Sequence, residues 1–461
     1  MRKLFKGARY GLGFYILYTI VFGALIFNLS VMQKSSIDYD TQAMLQSSGV
    51  ATNAYLLDGF ETSLNTRLSL IENASSSINI SYYSIHGGEA RDLFFGALLD
   101  KADEGVKINI ILDDVFYYQT RDEKVHYEAL MVHENITFKF YERFNPLLPY
   151  TMQNRLHDKL IMVDDAYGII GGRNIGDRYY NTGEGGLTHD RDVLIFSDGS
   201  AHPTVEAMNA YYETLFTHEY THEKSVRQRE ALSENAQRMK DAYSEYKHSY
   251  DIESYLFDHV HPQAIAVDNA TFVHGPLTRM HKDPVVFSTL SDIAQTRDEW
   301  LIQSPYITFS DKMLKSLPDY EDQSITFLTN SPARSPNIFA MSGYMRYRDE
   351  LAVRGNVYEY HGEHSLHAKT MLFGDDISVI GSLNLDPRSA TLSTESVMII
   401  TGERFNAHVG SVIDEYLSSS LRVSDDGAYV PGNVDPVEYP PFKRTAIRLT
   451  GLFTRFIEPM L

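Results

Sequence analysis

The stretch RLHDKLIMVDDAYGIIGGRN, residues 155–174, puts His157 and Lys159 two places apart on a strand-like run that ends in Gly171, Gly172 and Asn174. The arrangement returns later in the chain as His367 and Lys369, with Gly381, Ser382 and Asn384 at the same offsets. Residues i and i+2 of a strand share a face, so each imidazole and its ammonium converge on one spot. The glycines let backbone approach that spot, and Asn and Ser add hydrogen-bonding groups without changing the charge. A pattern this specific, found twice, is the mark of an internal duplication. It constrains the chain to two similar halves.

The segments around each motif share one grammar. SSSINISYYSI (75–85), VKINIILDD and ITFKFYE read as strands, and KLIMVDD with YGIIGG as a strand pair. Between the first two, Ala90, Leu93, Phe94, Ala97, Leu98 and Ala102 share one helical face, with Gly105 as a stop. The second half repeats this with EWLIQSPYIT, SITFLTNS, a helix at SGYMRYRDELAVRG, NVYEYHG, and HAKTMLF with ISVIGS. Alternating elements of this kind indicate an α/β fold with sheets covered by helices, and 461 residues are too many for one ordinary core. The expected division is 1–33, 34–55 as a linker, 56–220 as a first lobe, 221–262 as a helical bridge, 263–440 as a second lobe, and 441–461.

The two ends differ from the body. Tyr10 to Gln33 is free of charge, and about 20 residues at 1.5 Å each span the roughly 30 Å of a hydrocarbon core. No clear small-x-small cleavage site follows, so an uncleaved transmembrane anchor is expected. Arg2, Lys3, Lys6 and Arg9 precede it and only Lys34 follows closely, which places the N-terminus in the cytoplasm and the body outside. At the other end Leu449, Leu452, Phe453, Phe456, Ile457 and Met460 recur at helical spacing, with Arg448 and Arg455 off that stripe. Such a helix either lies in a headgroup layer or docks on the protein's own core. The whole chain carries a net charge of −20, and its basic ends make the middle more acidic still. Nucleic-acid affinity is largely phosphate neutralisation by Lys and Arg, so a nucleic-acid partner is not expected. Cysteine is absent, which excludes disulfides and thiolate chemistry.

Two imidazoles and two ammoniums suit phosphoryl transfer on a diester. One neutral histidine attacks phosphorus; the other, protonated, donates to the leaving alkoxide and later takes a proton from the incoming alcohol. Lys159, Lys369, Asn174, Asn384, Ser382 and Gly172 are the groups expected around the nonbridging oxygens, with neither metal nor cofactor. His126, His133, His218 and His222 show no ligand-like convergence, and the pairs Tyr82–Tyr83, Tyr117–Tyr118 and Tyr211–Tyr212 read as packing.

The chain resembles the phospholipase D superfamily, whose mark is a duplicated HxK(x)4D(x)6G[GS]xN. It is most similar there to bacterial cardiolipin synthases, through GGRNIGDRYY, THDRDVLIF, SPARSPNIFAMSGYMRYRDEL and GSLNLDPRS. The resemblance implies two similar α/β/α lobes with one active site at their pseudo-two-fold interface. It implies His157 as nucleophile, His367 as acid and base, and Asp192 and Glu395 as carboxylates orienting the imidazoles. Asp164, Gly171 and Gly381 take the structural positions. The second copy departs from the motif: Gly374 stands where the aspartate belongs, and Asp375 would substitute through a bulge. The implied reaction joins two phosphatidylglycerols into cardiolipin and glycerol through a phosphatidyl-histidine, at a bacterial cell membrane. The alternatives are hydrolysis or exchange of phospholipid headgroups, a phosphodiesterase acting on nucleic acid, and a catalytically degenerate tethered binding protein.

Overall fold

The computed structural model describes residues 2–29, 31–118, 121–183, 185–198, 200–310, 313–314, 324–454 and 456–461. The duplication is visible strand by strand. One sheet runs in the order Ile265–Val267, Thr52–Leu57, Asp192–Phe196, Tyr167–Gly171, Lys159–Val163, Ser77–Tyr82, Lys107–Asp113, Ile136–Tyr141, Thr221–Glu223. The other runs Asn269–His274, Ser396–Thr401, Ile377–Gly381, Thr370–Phe373, Glu299–Gln303, Ser324–Asn330, Asn356–Tyr360, Ser420–Val423. Setting aside Ile265–Val267, the strands correspond one to one with the same pairing senses. Only Ser77–Tyr82, Lys107–Asp113 and Ile136–Tyr141 are mutually parallel in the first sheet, and only their counterparts in the second. Parallel neighbours need a crossover, which Glu89–Asp103, Arg121–Met131 and Ile338–Arg354 supply.

Alternation along the strands sorts side chains into layers. In Lys159–Val163, Ile161 and Val163 join an outer core under the helices of the first lobe, while Leu160 and Met162 face the other way. That inner layer also holds Leu372, Ile380, Met398 and Ile400 from the second sheet, with Tyr211, Tyr212, Phe405 and Val409 from two helices between the sheets. The lobes therefore share a core.

Three expected boundaries move. Thr221–Glu223 is an edge strand of the first sheet and Ile265–Val267 closes its other edge, so the first lobe does not end at 220. The helix Glu230–Ser249 is no bridge: Met239 and Tyr243 are buried in the first core, and a Cβ on Gly96 would strike the Met239 carbonyl. Part of the expected linker packs as well, since Met44 is buried in the second core and its carbonyl accepts from Asn269 Nδ2 at 3.0 Å.

The helix Arg2–Gly23 leaves Tyr10, Phe14 and Leu17 exposed, and the segment Arg9–Asn28 is long and apolar enough to cross a membrane. Its end is tied to the body: Tyr15 Oη donates to the Pro146 carbonyl at 2.8 Å, Tyr18 Oη to Leu147 at 2.7 Å, and Gln153 Nε2 to Gly23 at 2.9 Å. The helix Pro441–Thr454 combines the two readings of its sequence. It buries Ile447 and Thr454 toward the body and leaves Phe442, Leu449, Leu452 and Phe453 exposed; Arg455 lies outside the described residues.

A buried carboxylate fastens the lobes. Asp158, the residue between His157 and Lys159, accepts from Tyr211 Oη at 2.7 Å, Thr394 Oγ1 at 2.9 Å and Ser396 Oγ at 2.7 Å, the last two from the second lobe. Asp158→Ala leaves three buried hydroxyls without their acceptor. It is expected to cost about 3 kcal/mol and to lower the thermal unfolding midpoint clearly; an unchanged midpoint would show that the clasp contributes nothing.

Candidate active site

Each HxK segment is stitched to the opposite lobe by main chain. The Thr394 N–H donates to the Arg155 carbonyl at 2.8 Å and the His367 N–H to the His189 carbonyl at 2.7 Å. Ser365–Leu366 and Thr188–His189 pair as a two-stranded parallel ribbon between lobes. These links set a carboxylate from one lobe beside the imidazole of the other. Nδ1 of His157 lies 2.9 Å from Oε1 of Glu395, and Nδ1 of His367 lies 2.6 Å from Oδ2 of Asp190. Both histidines line one cavity of about 440 Å³, with Asn174, Asn384, Tyr83, Tyr306, Asp386, Arg388, Phe339 and the chain end at Met460 and Leu461.

The carboxylate beside His367 is Asp190, not Asp192. Asp192 is buried against Arg67 at 2.7 Å and Arg173 at 3.2 Å, an ion pair shared by two guanidiniums that have no exposure to water. Sheet register explains the difference. Gly171 pairs with Asp192 and Gly381 with Val397, so the counterpart of Glu395 lies two residues before Asp192. Residues 190 and 192 are both aspartate, and their common lead into a strand hid the offset.

The two imidazoles sit in different electrostatic settings. Burial, then Lys159 and Lys369, holds His157 well below its ordinary pKa. Its partner Glu395 is pushed up to about 8 by burial, which Lys159 only partly offsets. Burial also acts on Asp190, yet Lys369 and His367 outweigh it and hold that carboxylate well below the usual range. His367 is lowered to about 4 by burial and Lys369, against the upward pull of Asp190. Burial and Lys369 thus oppose the protonated form of His367 that its expected acid role requires. Lys159 is lowered to about 7 by burial and Lys369; burial lowers Lys369 to about 8. Lys159 Nζ donates to the His157 carbonyl at 2.5 Å, and Lys369 Nζ lies 2.7 Å from His367 Nδ1.

Asn174 and Asn384 anchor their amides to Tyr179 Oη and Ser389 Oγ, at 3.4 Å and 3.3 Å, and their Oδ1 atoms are buried without a protein partner. Two expected phosphate ligands have other tasks. Ser382 is wholly buried and its Oγ lies 2.5 Å from Glu395 Oε2; the Gly172 N–H is taken by the Arg191 carbonyl at 3.1 Å. Gly172 instead makes room, since a Cβ there would strike Asp190. Gly171 and Gly381 let the strand beside them close in.

Asp164 stands away from the imidazoles in a turn. It accepts from the N–H groups of Ser75, Ser76 and Ser77 and from two serine hydroxyls, at 2.6–2.8 Å. Asp164 and Gly374 take the same left-handed conformation, φ +52° and +60°, and make matching main-chain bonds to Ser77 and Glu299. No bulge brings Asp375 into that role: it is exposed, and Asp376 pairs instead with Arg297 at 2.6 Å. Tyr83, read as packing, has its ring 5.1 Å from His157 and its face toward Lys159 Nζ at 5.3 Å. Asp158, Asp190, Tyr306 and Arg388 were also missed, because none belongs to the repeated pattern.

A duplicated α/β fold that brings two HxK motifs to one cleft defines a phospholipase D-like protein. The family model described as cardiolipin synthase, PLD-like domain, matches residues 68–218 and 289–417, and the chain belongs to that family. It is 28% identical to an uncharacterized protein of Helicobacter pylori over 80% of both chains. It is 25% identical to cardiolipin synthase 2 of Staphylococcus epidermidis, over 70% of this chain and 60% of that one. The figure is also 25% for cardiolipin synthase of Staphylococcus aureus, over 77% and 64%. The fold matches the crystal structure of phosphatidylserine synthase from Haemophilus influenzae with a TM-score of 0.62 at 13% identity, over 91% of this chain and 99% of that one.

The two aspartates can be told apart. Asp190→Asn is expected to lower phospholipid turnover about 100-fold or more with a nearly unchanged thermal midpoint. Asp192→Asn strands Arg67 and Arg173 and lowers the midpoint. Equal losses of stability in both variants contradict the assignment.

Proposed function

We propose that the chain is a membrane-anchored transphosphatidylase that converts two phosphatidylglycerols into cardiolipin and glycerol. One observation carries the reading: two imidazoles from different lobes line one cavity, each with a carboxylate partner of different character. Environments that push paired groups apart divide acid–base work from nucleophilic work.

Glu395 Oε2 accepts from Nδ1–H of His157 at 3.0 Å, so the Nε2 lone pair is free to attack phosphorus. The P–O bond to the donor's glycerol breaks, and His367 Nε2–H protonates the leaving alkoxide. The ionised Asp190 supports the charge on His367, and the entering phosphodiester anion adds the negative potential that raises this imidazole's pKa. Lys159, Lys369, Asn174 and Asn384 face the nonbridging oxygens. The terminal hydroxyl of a second phosphatidylglycerol then gives its proton to His367 and attacks phosphorus, the P–N bond breaks, and His157 leaves neutral. A weakly supported imidazole is a good leaving group, which suits His157 to the covalent role.

The anchor fits a lipid substrate. Gly23, at the end of the apolar helix, accepts from Gln153 Nε2, and Gln153 Oε1 accepts from Arg388 Nη1 at 2.9 Å on the cavity wall. Two hydrogen bonds thus join the membrane segment to the site, which supports a cavity opening at the bilayer surface. The topology that leaves the N-terminus in the cytoplasm puts this chemistry on the outer side.

The test is full-length protein with labelled phosphatidylglycerol in mixed micelles containing a chelator. Cardiolipin and glycerol in equal amounts are expected, with loss of both in His157→Ala. Phosphatidic acid alone makes the protein a hydrolase, and normal turnover by His157→Ala ends the proposal.

A further inference from the structure

The proposed reaction puts two phosphodiesters in one cavity. The donor's phosphorus lies between the imidazoles, with Lys159 and Lys369. The acceptor lipid brings its own phosphate, one glycerol unit away from the hydroxyl that attacks. Water or free glycerol as acceptor carries no such charge, so an acceptor-phosphate site separates a synthase from a hydrolase.

We infer that Arg388 holds the phosphate of the acceptor lipid, forming a second anionic subsite on the wall of the same cavity; this rests on the transphosphatidylase reading. Arg388 lines the cavity together with His157, Phe339, Met460 and Leu461. Its side chain is positioned by Nη1, which donates to Gln153 Oε1 at 2.9 Å and to the Met460 carbonyl at 3.3 Å. Its own N–H donates to the Leu461 carbonyl at 3.1 Å. Nε and Nη2 have no protein partner among the described residues, which leaves one edge of the guanidinium fork for a ligand.

Charge is the second argument. The other cavity arginine, Arg155, is paired with Asp113 at 2.8 Å. The buried guanidiniums of Arg67, Arg173, Arg191 and Arg348 all meet carboxylates. Arg388 forms no ion pair among the described residues. Asp386, on the same wall, makes no ion pair with it, and burial pushes that carboxyl up to about 7 despite Arg388. A half-buried guanidinium with no ion pair among the described residues, in a protein of net charge −20, suits an anion. Phe339, Met460 and Leu461 give the same wall an apolar side for the acceptor's acylglycerol.

The test compares two acceptors in one full-length enzyme. Cardiolipin formation from phosphatidylglycerol uses a charged acceptor; incorporation of labelled glycerol into phosphatidylglycerol uses a neutral one. Arg388→Ala is expected to lower cardiolipin formation about 10- to 100-fold while glycerol exchange stays within about threefold, and Arg388→Lys to recover part of the loss. Parallel loss of both reactions, or loss of neither, overturns the inference. A parent enzyme that exchanges glycerol but makes no cardiolipin also overturns it and leaves phosphatidyl transfer standing. A parent enzyme that does neither overturns the reading beneath it.

Discussion

The crossed imidazole–carboxylate pairs are the constraint on which the site depends. His157 comes from one lobe and Glu395 from the other; His367 and Asp190 repeat this in reverse. Neither lobe alone holds a supported imidazole, so the lobes have to dock to within a hydrogen-bond length. The shared apolar core between the sheets supplies the adhesion, being roughly proportional to buried area and without direction. Directed contacts supply the register: Asp158 to Thr394 and Ser396, and Arg191 to Gln303 at 2.7 Å and Thr370 at 3.1 Å.

Duplication gives the two halves one scaffold, and divergence gives them different electrostatics. Residue 158 is a buried aspartate clasp where its counterpart is Ala368. Asp164 ties down three N–H groups where Gly374 occupies the same left-handed turn and leaves the fixing to the Arg297–Asp376 pair. At the centre, burial leaves Glu395 reluctant to ionise while Asp190, next to Lys369 and His367, is held as a carboxylate. A symmetric pair of sites would give two histidines of equal basicity and no division of labour between them.

Much of this was legible in the sequence because it repeats. The HxK spacing located both histidines and lysines, and the alternating segments around them located two α/β halves with their strands in matching order. Contacts that form only across the lobe interface were not legible. Asp190 and Asp192 are both plausible by position, and only the register of Gly171 against Asp192 separates them. Asp158 occupies the unspecified position of the HxK motif. Ser382 belongs to the repeated motif and was expected as a phosphate ligand, yet it is buried against Glu395. The helix Glu230–Ser249 looked like a bridge because its exposed face is charged; the narrow buried stripe of Leu232, Asn235, Met239 and Tyr243 attaches it to the first lobe.

In the proposed reaction the two histidines have unequal parts, with a covalent bond to phosphorus on His157 alone. The direct measurement uses the full-length parent protein quenched during turnover, when the proposed phosphoramidate is populated. Incubation with phosphate-labelled phosphatidylglycerol, followed by quenching and peptide mapping, is predicted to find acid-labile label on His157. Absence of protein-bound label, or label that persists in His157→Ala, contradicts it.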